Sequence, residues 1–346
     1  MRACVATTVH HPEDARIMHR QIRALLDAGH EVTYVAPFTH FNVTPAAELT
    51  AVDVAHLASP GRARAALRRG LRGADLLIVH EYRLLRTLPH RRPHVVWDVR
   101  EQVSPRRLAR ARRRHEVITA AEVPEATLVS PAPPAPGDTR VVHLGRLSAE
   151  RGVMELIGLA GRLVPHGIRL DLIGAAAPGV RPLLRDAQRV GLLDWYGHVP
   201  LRHALRMAEG ALAGLSLAHA TVTTPPTKIL DYMGRGLPVI TTPQGAATVE
   251  AAGCGLVVPL DVDAVLNAVL DLKEDPALRL KLGALGHVEA RLHHHWPDHA
   301  AAFVQRAETW AARPSRAGHD GAAGWFPLPR HSRTPPGAGM ATGRGG

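Results

Sequence analysis

The sequence predicts an α/β protein made of two Rossmann-like βα domains that face each other across a cleft. Three observations carry this expectation. Short β-branched apolar runs alternate with amphipathic stretches, the alternation runs through twice, and a proline-rich stretch separates the two series. At 346 residues the chain exceeds one typical domain of about 100–200 residues. Its 46% hydrophobic and 21% charged composition can bury sizeable cores, which excludes wholesale disorder.

The first series begins with a strand over Arg2–Val9, broken at His10-His11-Pro12. A helix follows from near Asp14, with Met18, Ile22, Leu25 and Leu26 on one face and Gly29 as its stop. Strands are predicted at Glu31–Ala36, Val52–Leu57, Asp75–His80 and His94–Val99, with an Arg-rich helix over Pro60–Arg72. Continuous apolar runs of this kind suit strands covered on both faces. A basic helix over Ser104–Arg114 and strand-like segments at Val117–Ala120 and Thr127–Val129 complete the series. The domain assignment is 1–133 for the first domain, 134–312 for the second and 313–346 for a disordered tail.

Prolines within 130–137 lack a backbone donor and fix φ, so this stretch is the predicted linker and hinge. The pattern then restarts with strands at Arg140–Leu144, Arg169–Ile173, Trp195–Val199, Ala211–Leu217, Pro238–Thr241 and Gly255–Val258. Helices are expected over Arg151–Val164 and Val180–Val190, followed by a helix-rich close over Asp263–Ala312. Beyond it Gly and Pro supply 13 of 34 residues and no periodicity survives, hence the predicted disorder.

No apolar stretch reaches the ~18–20 residues needed to cross a bilayer, and no signal-peptide pattern follows Met1, so a cytoplasmic location is expected. Cys4 and Cys254 match no disulfide framework or zinc spacing and are read as buried thiols. The net charge of +11 invites a nucleic-acid or anionic-membrane partner. Nearly all of the basic charge is Arg, however, which a GC-rich coding bias also produces. Against that background Lys228, one of three lysines, stands out.

Two segments carry chemistry. In Val141-Val142-His143-Leu144-Gly145-Arg146-Leu147-Ser148-Ala149-Glu150-Arg151-Gly152 a strand ends in glycine and a helix follows. Glycine permits close backbone approach to a ligand, and the free N–H groups of a helix start attract anions. Arg146 and Arg151 bracket the turn as two guanidinium forks suited to a diphosphate, or they are solvated arginines on an ordinary βα turn. The second segment runs from Thr223 to Ile240 and contains Pro226-Thr227-Lys228-Ile229-Leu230-Asp231-Tyr232-Met233-Gly234. Thr227 can cap a short helix there, and Lys228 and Asp231 share a face. A cation and a carboxylate so placed suit a phosphate and the vicinal hydroxyls of a ribose; a surface ion pair is the alternative.

Together with Leu25–Pro37, these segments resemble family 4 of the retaining glycosyltransferases (glycosyl transferases group 1), which have the two-domain GT-B architecture. The likeness covers about residues 1–312 and is greatest to bacterial members with a Gly-Arg-x4-(Lys/Arg)-Gly turn and a Pro-Thr-Lys-x-x-Glu-Tyr-Met segment. It implies that Gly145, Arg146, Arg151, Thr227 and Lys228 hold the donor diphosphate and that Asp231, shortened from Glu, meets the donor ribose. Arg146, Arg151 and Lys228 are the residues it implies for catalysis. The first carboxylate of the family's Glu-x7-Glu pattern falls at Thr223. His11-Pro12-Glu13-Asp14-Ala15-Arg16 is similar to the family's first-loop motif, which places Asp14 and Arg16 on the acceptor side; helix capping accounts equally for Asp14. In Trp97-Asp98-Val99-Arg100-Glu101 the family's cleft histidine is replaced by Arg100, and Arg100 and Glu101 complete the acceptor-side set. Arginine can bind phosphate but cannot shuttle protons near neutrality.

The resemblance thus implies sugar transfer with retention from a nucleotide-diphosphate sugar to a hydroxyl of a glycan, lipid-linked or small-molecule acceptor, with no metal or other cofactor. A non-catalytic sugar-nucleotide-binding relative is the alternative. The arginines of 106–114 could lie against an anionic leaflet at the inner membrane face or bind nucleic acid; with few apolar residues and no interleaved aromatics they read first as a solvated basic helix, with membrane contact next and nucleic acid last. His293, His294, His295 and His299 offer one i, i+4 pair but no carboxylate at metalloprotease spacing, so no metal is assigned there.

Overall fold

Runs such as Leu76–Val79, buried at every residue, have no polar face to offer water, and the chain places them in sheets covered on both sides. The computed structural model describes residues 1–99, 103–119, 123–222 and 227–313. In the first lobe β1 (Arg2–Ala6), β2 (Glu31–Ala36), β3 (Thr50–Asp53), β4 (Leu76–Val79), β5 (His94–Asp98) and β6 (Glu116–Ile118) pair in the order β3-β2-β1-β4-β5-β6. In the second, β7 (Arg140–Leu144), β8 (Arg169–Ile173), β9 (Asp194–Gly197), β10 (Ala213–Ser216), β11 (Val239–Thr241) and β12 (Gly255–Val257) pair as β12-β11-β10-β7-β8-β9. Read from its other edge, the second sheet repeats the order of the first. All pairings are parallel. Each sheet reverses its winding between its first and fourth strands, β1/β4 and β7/β10. That reversal opens a crevice at the strand carboxyl ends, where ligands of such sheets bind.

β2, β7 and β8 match the predicted ranges residue for residue. The run expected at Val52–Leu57 instead pairs as Thr50–Asp53. It bends away because Leu57 adopts a φ of 53° and donates its N–H to the Thr8 carbonyl at 2.8 Å. The helix expected near Asp14 opens as a π-helical turn, Ile17–Ile22, before the α-helix Arg23–Asp27. Thr127–Val129 forms no strand; Thr127 makes one isolated parallel bridge, to His295.

The first sheet is packed on one face by Ile17, Ile22, Leu25 and Phe38 together with Trp296, Phe303, Ala307 and Trp310. The last four belong to the helix Trp296–Ala311, so the end of the segment assigned by sequence to the second domain packs on the first lobe. Ala63, Ala66 and Leu67 of the helix Pro60–Gly70, with Leu84 and Ala111, cover the other face. In the second lobe the helix Val153–Leu163 lies on one face, and Leu201–Ala208 and Lys228–Met233 lie on the other.

Two segments run side by side between the lobes. Thr127 N–H donates to the His294 carbonyl at 2.7 Å, and Trp296 N–H donates to the Thr127 carbonyl at 2.8 Å. The proline stretch after them lies on the second lobe, tied by Ser130 N–H to the Gly234 carbonyl at 2.9 Å and by Gly137 N–H to the Gly210 carbonyl at 3.0 Å. Its prolines thus stiffen a docked strap, and the crossing lies just upstream.

Because Phe303 is only 2% exposed in the first-lobe core, Phe303→Ala is expected to destabilise that lobe by about 3–5 kcal/mol, read from urea denaturation.

Candidate functional site

β7 ends at Leu144, and the chain turns at Gly145 with a φ of 95°. Gly145 N–H donates to the Ile173 carbonyl at 2.9 Å, and Leu147 N–H donates to the Ala175 carbonyl at 2.9 Å. This close approach requires Gly174, since a Cβ there would stand 1.8 Å from the Gly145 carbonyl oxygen. The turn then passes through Ala149–Arg151 to Gly152, whose left-handed conformation starts the helix Val153–Leu163. Arg146 is exposed and Arg151 half-buried.

The short helix Lys228–Met233 is fixed against the same crevice by Tyr232. Its hydroxyl accepts from Leu144 N–H at 2.8 Å and donates to the Leu215 carbonyl at 2.9 Å, bridging β7 and β10 where the winding reverses. Gly214 admits the ring, because a Cβ there would lie 2.2 Å from it. One turn earlier Lys228 is buried at 8% exposure, and its Nζ lies 2.8 Å from Nε2 of the fully buried His143. A Cβ on Gly145 would lie 3.7 Å from the Lys228 Cε, so the glycine turn and the lysine border one space.

Arg151 acts electrostatically on both of its basic neighbours, Arg146 and Lys228. Burial and the adjacent Arg146 lower the Arg151 pKa, and burial and Arg151 pull the Lys228 ammonium well below its ordinary value. Burial, Lys228 and Arg151 push His143 the same way, so its imidazole is neutral near pH 7. Among the described residues no carboxylate forms an ion pair with Arg146, Arg151 or Lys228. The pair that sequence spacing allowed between Lys228 and Asp231 does not form. Asp231 Oδ1 instead accepts from Thr127 Oγ1 at 2.6 Å, and burial raises its pKa against the pull of Arg20. Thr227 is exposed, and its side chain does not cap the helix as expected; its residue is already helical, with φ −59° and ψ −23°.

On the first lobe Asp14 Oδ1 accepts from the N–H groups of Arg16 and Ile17 at 3.0 and 3.1 Å, so its carboxylate caps the following turn. Arg16 is 4% exposed and grips the fully buried Asp98 with two bonds, Nε to Oδ2 at 2.8 Å and Nη2 to Oδ1 at 2.9 Å; its Nη1 donates to Glu125 at 2.9 Å. This guanidinium is committed to the interior. The π-helical turn, in which Gln21 N–H reaches back to the Arg16 carbonyl at 3.0 Å, also brings Gln21 Nε2 to Asp98 Oδ2 at 2.7 Å. Burial opposes ionisation of Asp98, yet Arg16 and His80 hold its pKa below the usual value. Glu81, at the end of β4, accepts from Thr8 Oγ1 at 2.7 Å and Thr7 Oγ1 at 2.9 Å, and burial raises its pKa. Arg100, Glu101 and Thr223 lie outside the described residues.

The loop after β1 also touches the second lobe. The His198 ring stacks on His11 with centroids 3.8 Å apart, and its Nε2 lies 2.9 Å from Glu13 Oε2. Burial and His198 lower the His11 pKa to about 4.

Sequence reasoning gave no role to His143, Thr127, Gln21 or His80, and did not pair Arg16 with Asp98. His143 carried a signal: it is the one polar side chain in the middle of the otherwise apolar run Val141–Leu144. The net charge also has a location that coding bias does not explain. Residues 59–115 hold 16 arginines against four acidic residues, a net +12, so the rest of the chain is close to neutral. Of those acids Glu81 and Asp98 are buried, while Arg62, Arg68, Arg69, Arg106 and Arg110 are exposed on helices covering one face of the first sheet, and Arg113 is exposed in the turn that follows. Arg106, Ala109, Arg110, Arg113 and Arg114 line a hollow of about 400 Å³.

Two winding reversals facing one crevice, with clustered cations beneath one of them, define a two-lobed GT-B fold. Comparison with known proteins agrees. Residues 138–275 match the family model described as "Glycosyl transferases group 1". No curated protein sequence matches the chain. Sucrose-phosphate synthase from Thermosynechococcus elongatus is similar in structure with a TM-score of 0.65 and 17% identity, over 89% of this chain and 98% of that one. HepE from Anabaena in complex with UDP-glucose is similar with a TM-score of 0.66 and 15% identity, over 89% of this chain and 100% of that one. WaaG, a glycosyltransferase involved in lipopolysaccharide biosynthesis, is similar with a TM-score of 0.56 and 16% identity, over 88% of this chain and 99% of that one. No helix among the described residues is long and apolar enough to cross a membrane.

Asp98→Asn removes the buried counter-charge of Arg16, leaving it only the partly exposed Glu125, and is expected to cost about 3–5 kcal/mol of stability at pH 7. Because the Asp98 pKa is lowered on folding, its contribution is present above the unfolded value of about 3.9 and is lost as pH falls through the folded value. Urea midpoints from pH 7 down to pH 3 should therefore fall less steeply in Asp98→Asn than in the unmutated protein.

Proposed function

We propose that the protein is a glycosyltransferase that moves a sugar from a nucleoside-diphosphate sugar to an acceptor hydroxyl, with retention as its resemblance to family 4 implies. The observation that carries this reading is that Arg151 acts electrostatically on both Arg146 and Lys228 at the Gly145 turn, with no carboxylate ion-paired to any of the three among the described residues. Like charges are held together at a cost in free energy, and a bound diphosphate relieves it. When the bond between the anomeric carbon and the diphosphate oxygen breaks, negative charge grows on the leaving group, and cations already in place stabilise it without reorganising. Side-chain cations supply this charge stabilisation, so the reading assigns no metal or other cofactor. Asp231 sits at the edge of the site with one oxygen on Thr127 and takes the donor ribose. Closure about the crossing segments brings the acceptor to the donor and excludes water.

The first lobe takes the acceptor, with Asp14, Arg16, Arg100 and Glu101 assigned to that side. Arg16 acts there through Asp98, shaping the loop without touching the ligand. The arginine layer favours an acceptor presented at an anionic membrane surface at the cytoplasmic face over a freely soluble one. A second reading, a sugar-nucleotide-binding protein without turnover, is favoured by the arginine at position 100 where the resemblance expects a histidine.

Arg146→Ala and Arg151→Ala should each weaken UDP or pyrophosphate binding roughly 10–100-fold, the loss expected for charge-assisted hydrogen bonds, and should reduce the ligand-induced rise in melting temperature. Absence of any such rise in the unmutated protein would refute the donor site. Slow hydrolysis of a UDP-, GDP-, ADP- or TDP-sugar by the unmutated protein separates the enzyme from the binding-only reading. In flotation assays the protein should accompany vesicles containing anionic phospholipid at 50 mM salt and be released by 0.5 M salt, and neutral vesicles should not retain it.

A further inference from the structure

His143 is a buried polar group behind the second-lobe crevice to which neither the sequence motifs nor the proposed chemistry gives a role. It is fully buried in β7 behind the site, and its Nε2 faces Lys228 Nζ at 2.8 Å. We infer that His143 is a positioning residue for the donor diphosphate: as a neutral acceptor it holds the Lys228 nitrogen beside the glycine turn, and diphosphate binding draws one proton onto that lysine. The inference rests on the reading of Arg146, Arg151 and Lys228 as the diphosphate site.

The groups around Lys228 explain why a histidine occupies this position. His143 faces it from β7, Arg151 from the turn after β7 with Arg146 beyond, and Asp231 from its own helix. The Asp231 carboxylate is engaged by Thr127 on its other side at 2.6 Å. A carboxylate at position 143 would pair with Lys228 and cancel the charge meant for the ligand. An apolar residue would leave a buried amine without a partner, and lysine's long stem would be free to reorient. A neutral imidazole does neither. It offers one lone pair to an N–H of Lys228 and adds no charge, and its neutrality is secured by burial beside Lys228 and Arg151.

Burial and Arg151 disfavour the ammonium form of Lys228 more strongly than the Asp231 carboxylate favours it. A diphosphate placed against Gly145 reverses that balance. Lys228 then takes a proton from solvent, donates one N–H to His143 and directs the others at phosphate oxygens. Binding coupled to uptake of one proton weakens as pH rises between the free and bound pKa values of the lysine, by up to tenfold per pH unit.

The test is isothermal titration of the full chain with inorganic pyrophosphate, and with UDP, in buffers of differing ionisation enthalpy from pH 6 to pH 9. The unmutated protein should take up close to one proton per pyrophosphate within the window where affinity falls with pH, and Lys228→Met should abolish that uptake. His143→Leu should weaken pyrophosphate binding at least tenfold and move the fall in affinity to lower pH, because the charged lysine has lost its acceptor. His143→Gln, whose amide oxygen reaches a similar point, should restore most of both. A merely structural role would lower the melting temperature of the free protein without moving the pH profile. If His143→Leu does not fold, His143→Gln and Lys228→Met carry the test. Unchanged affinity and pH profile in His143→Leu, or no proton uptake by the unmutated protein, overturns the inference while the donor site stands. Failure of the unmutated protein to bind either ligand overturns both.

Discussion

The Tyr232 hydroxyl ties β7 to β10 at the reversal of the second sheet and thereby fixes the register of the helix that carries Lys228. The rest of the site follows from that clamp. With Tyr232 held, Lys228 extends towards His143 and the glycine turn, within electrostatic reach of Arg151. Two glycines make the clamp and the turn sterically possible: Gly214 under the tyrosine ring and Gly174 against the Gly145 carbonyl. Neither glycine belongs to a recognisable motif, because each acts only through what it lacks.

The two lobes share a strand order and use it differently. At the second reversal Lys228 borders the glycine turn, and among the described residues no carboxylate forms an ion pair with it, Arg146 or Arg151. At the first, Arg16 is bound to Asp98 and Glu125, and Glu81 is bound to Thr7 and Thr8, so charge there is consumed internally. A buried ion pair of this sort adds little net stability but is costly to break, and it fixes the loop after β1 in one arrangement. That loop meets His198 across the gap through Glu13 and His11. At its reversal the second lobe keeps basic groups without ion-paired carboxylates, and at its own the first lobe holds a loop fixed by buried ion pairs.

Much of the fold was legible in the sequence because parallel strands buried on both faces leave continuous apolar runs; β2, β7 and β8 could be read to the residue. The edge strand β3 could not, since its end is set by the backbone turn at Leu57 rather than by hydrophobicity. In the site, Gly145, Arg146, Arg151 and Lys228 were legible as motif residues whose local spacing reflects a local turn. His143 was not, as its partner lies 85 residues away and only the sheet reversal brings them together. The same holds for Thr127 and Asp231, and for Arg16 and Asp98, whose contacts span 104 and 82 residues. The proline stretch was legible as a break but not as a docked strap, because its anchors Gly210 and Gly234 come later in the chain.

The helix Trp296–Ala311 closes the core of a lobe whose strands all lie within the first 118 residues. During synthesis from the amino terminus, Ile17, Ile22 and Phe38 must therefore wait for Phe303 and Trp310 to be made, while the second sheet and most of its covering helices already have all their residues. The half of the molecule that is translated first is thus the half that finishes folding last, and a chaperone acting on the nascent chain would find its exposed apolar surface there.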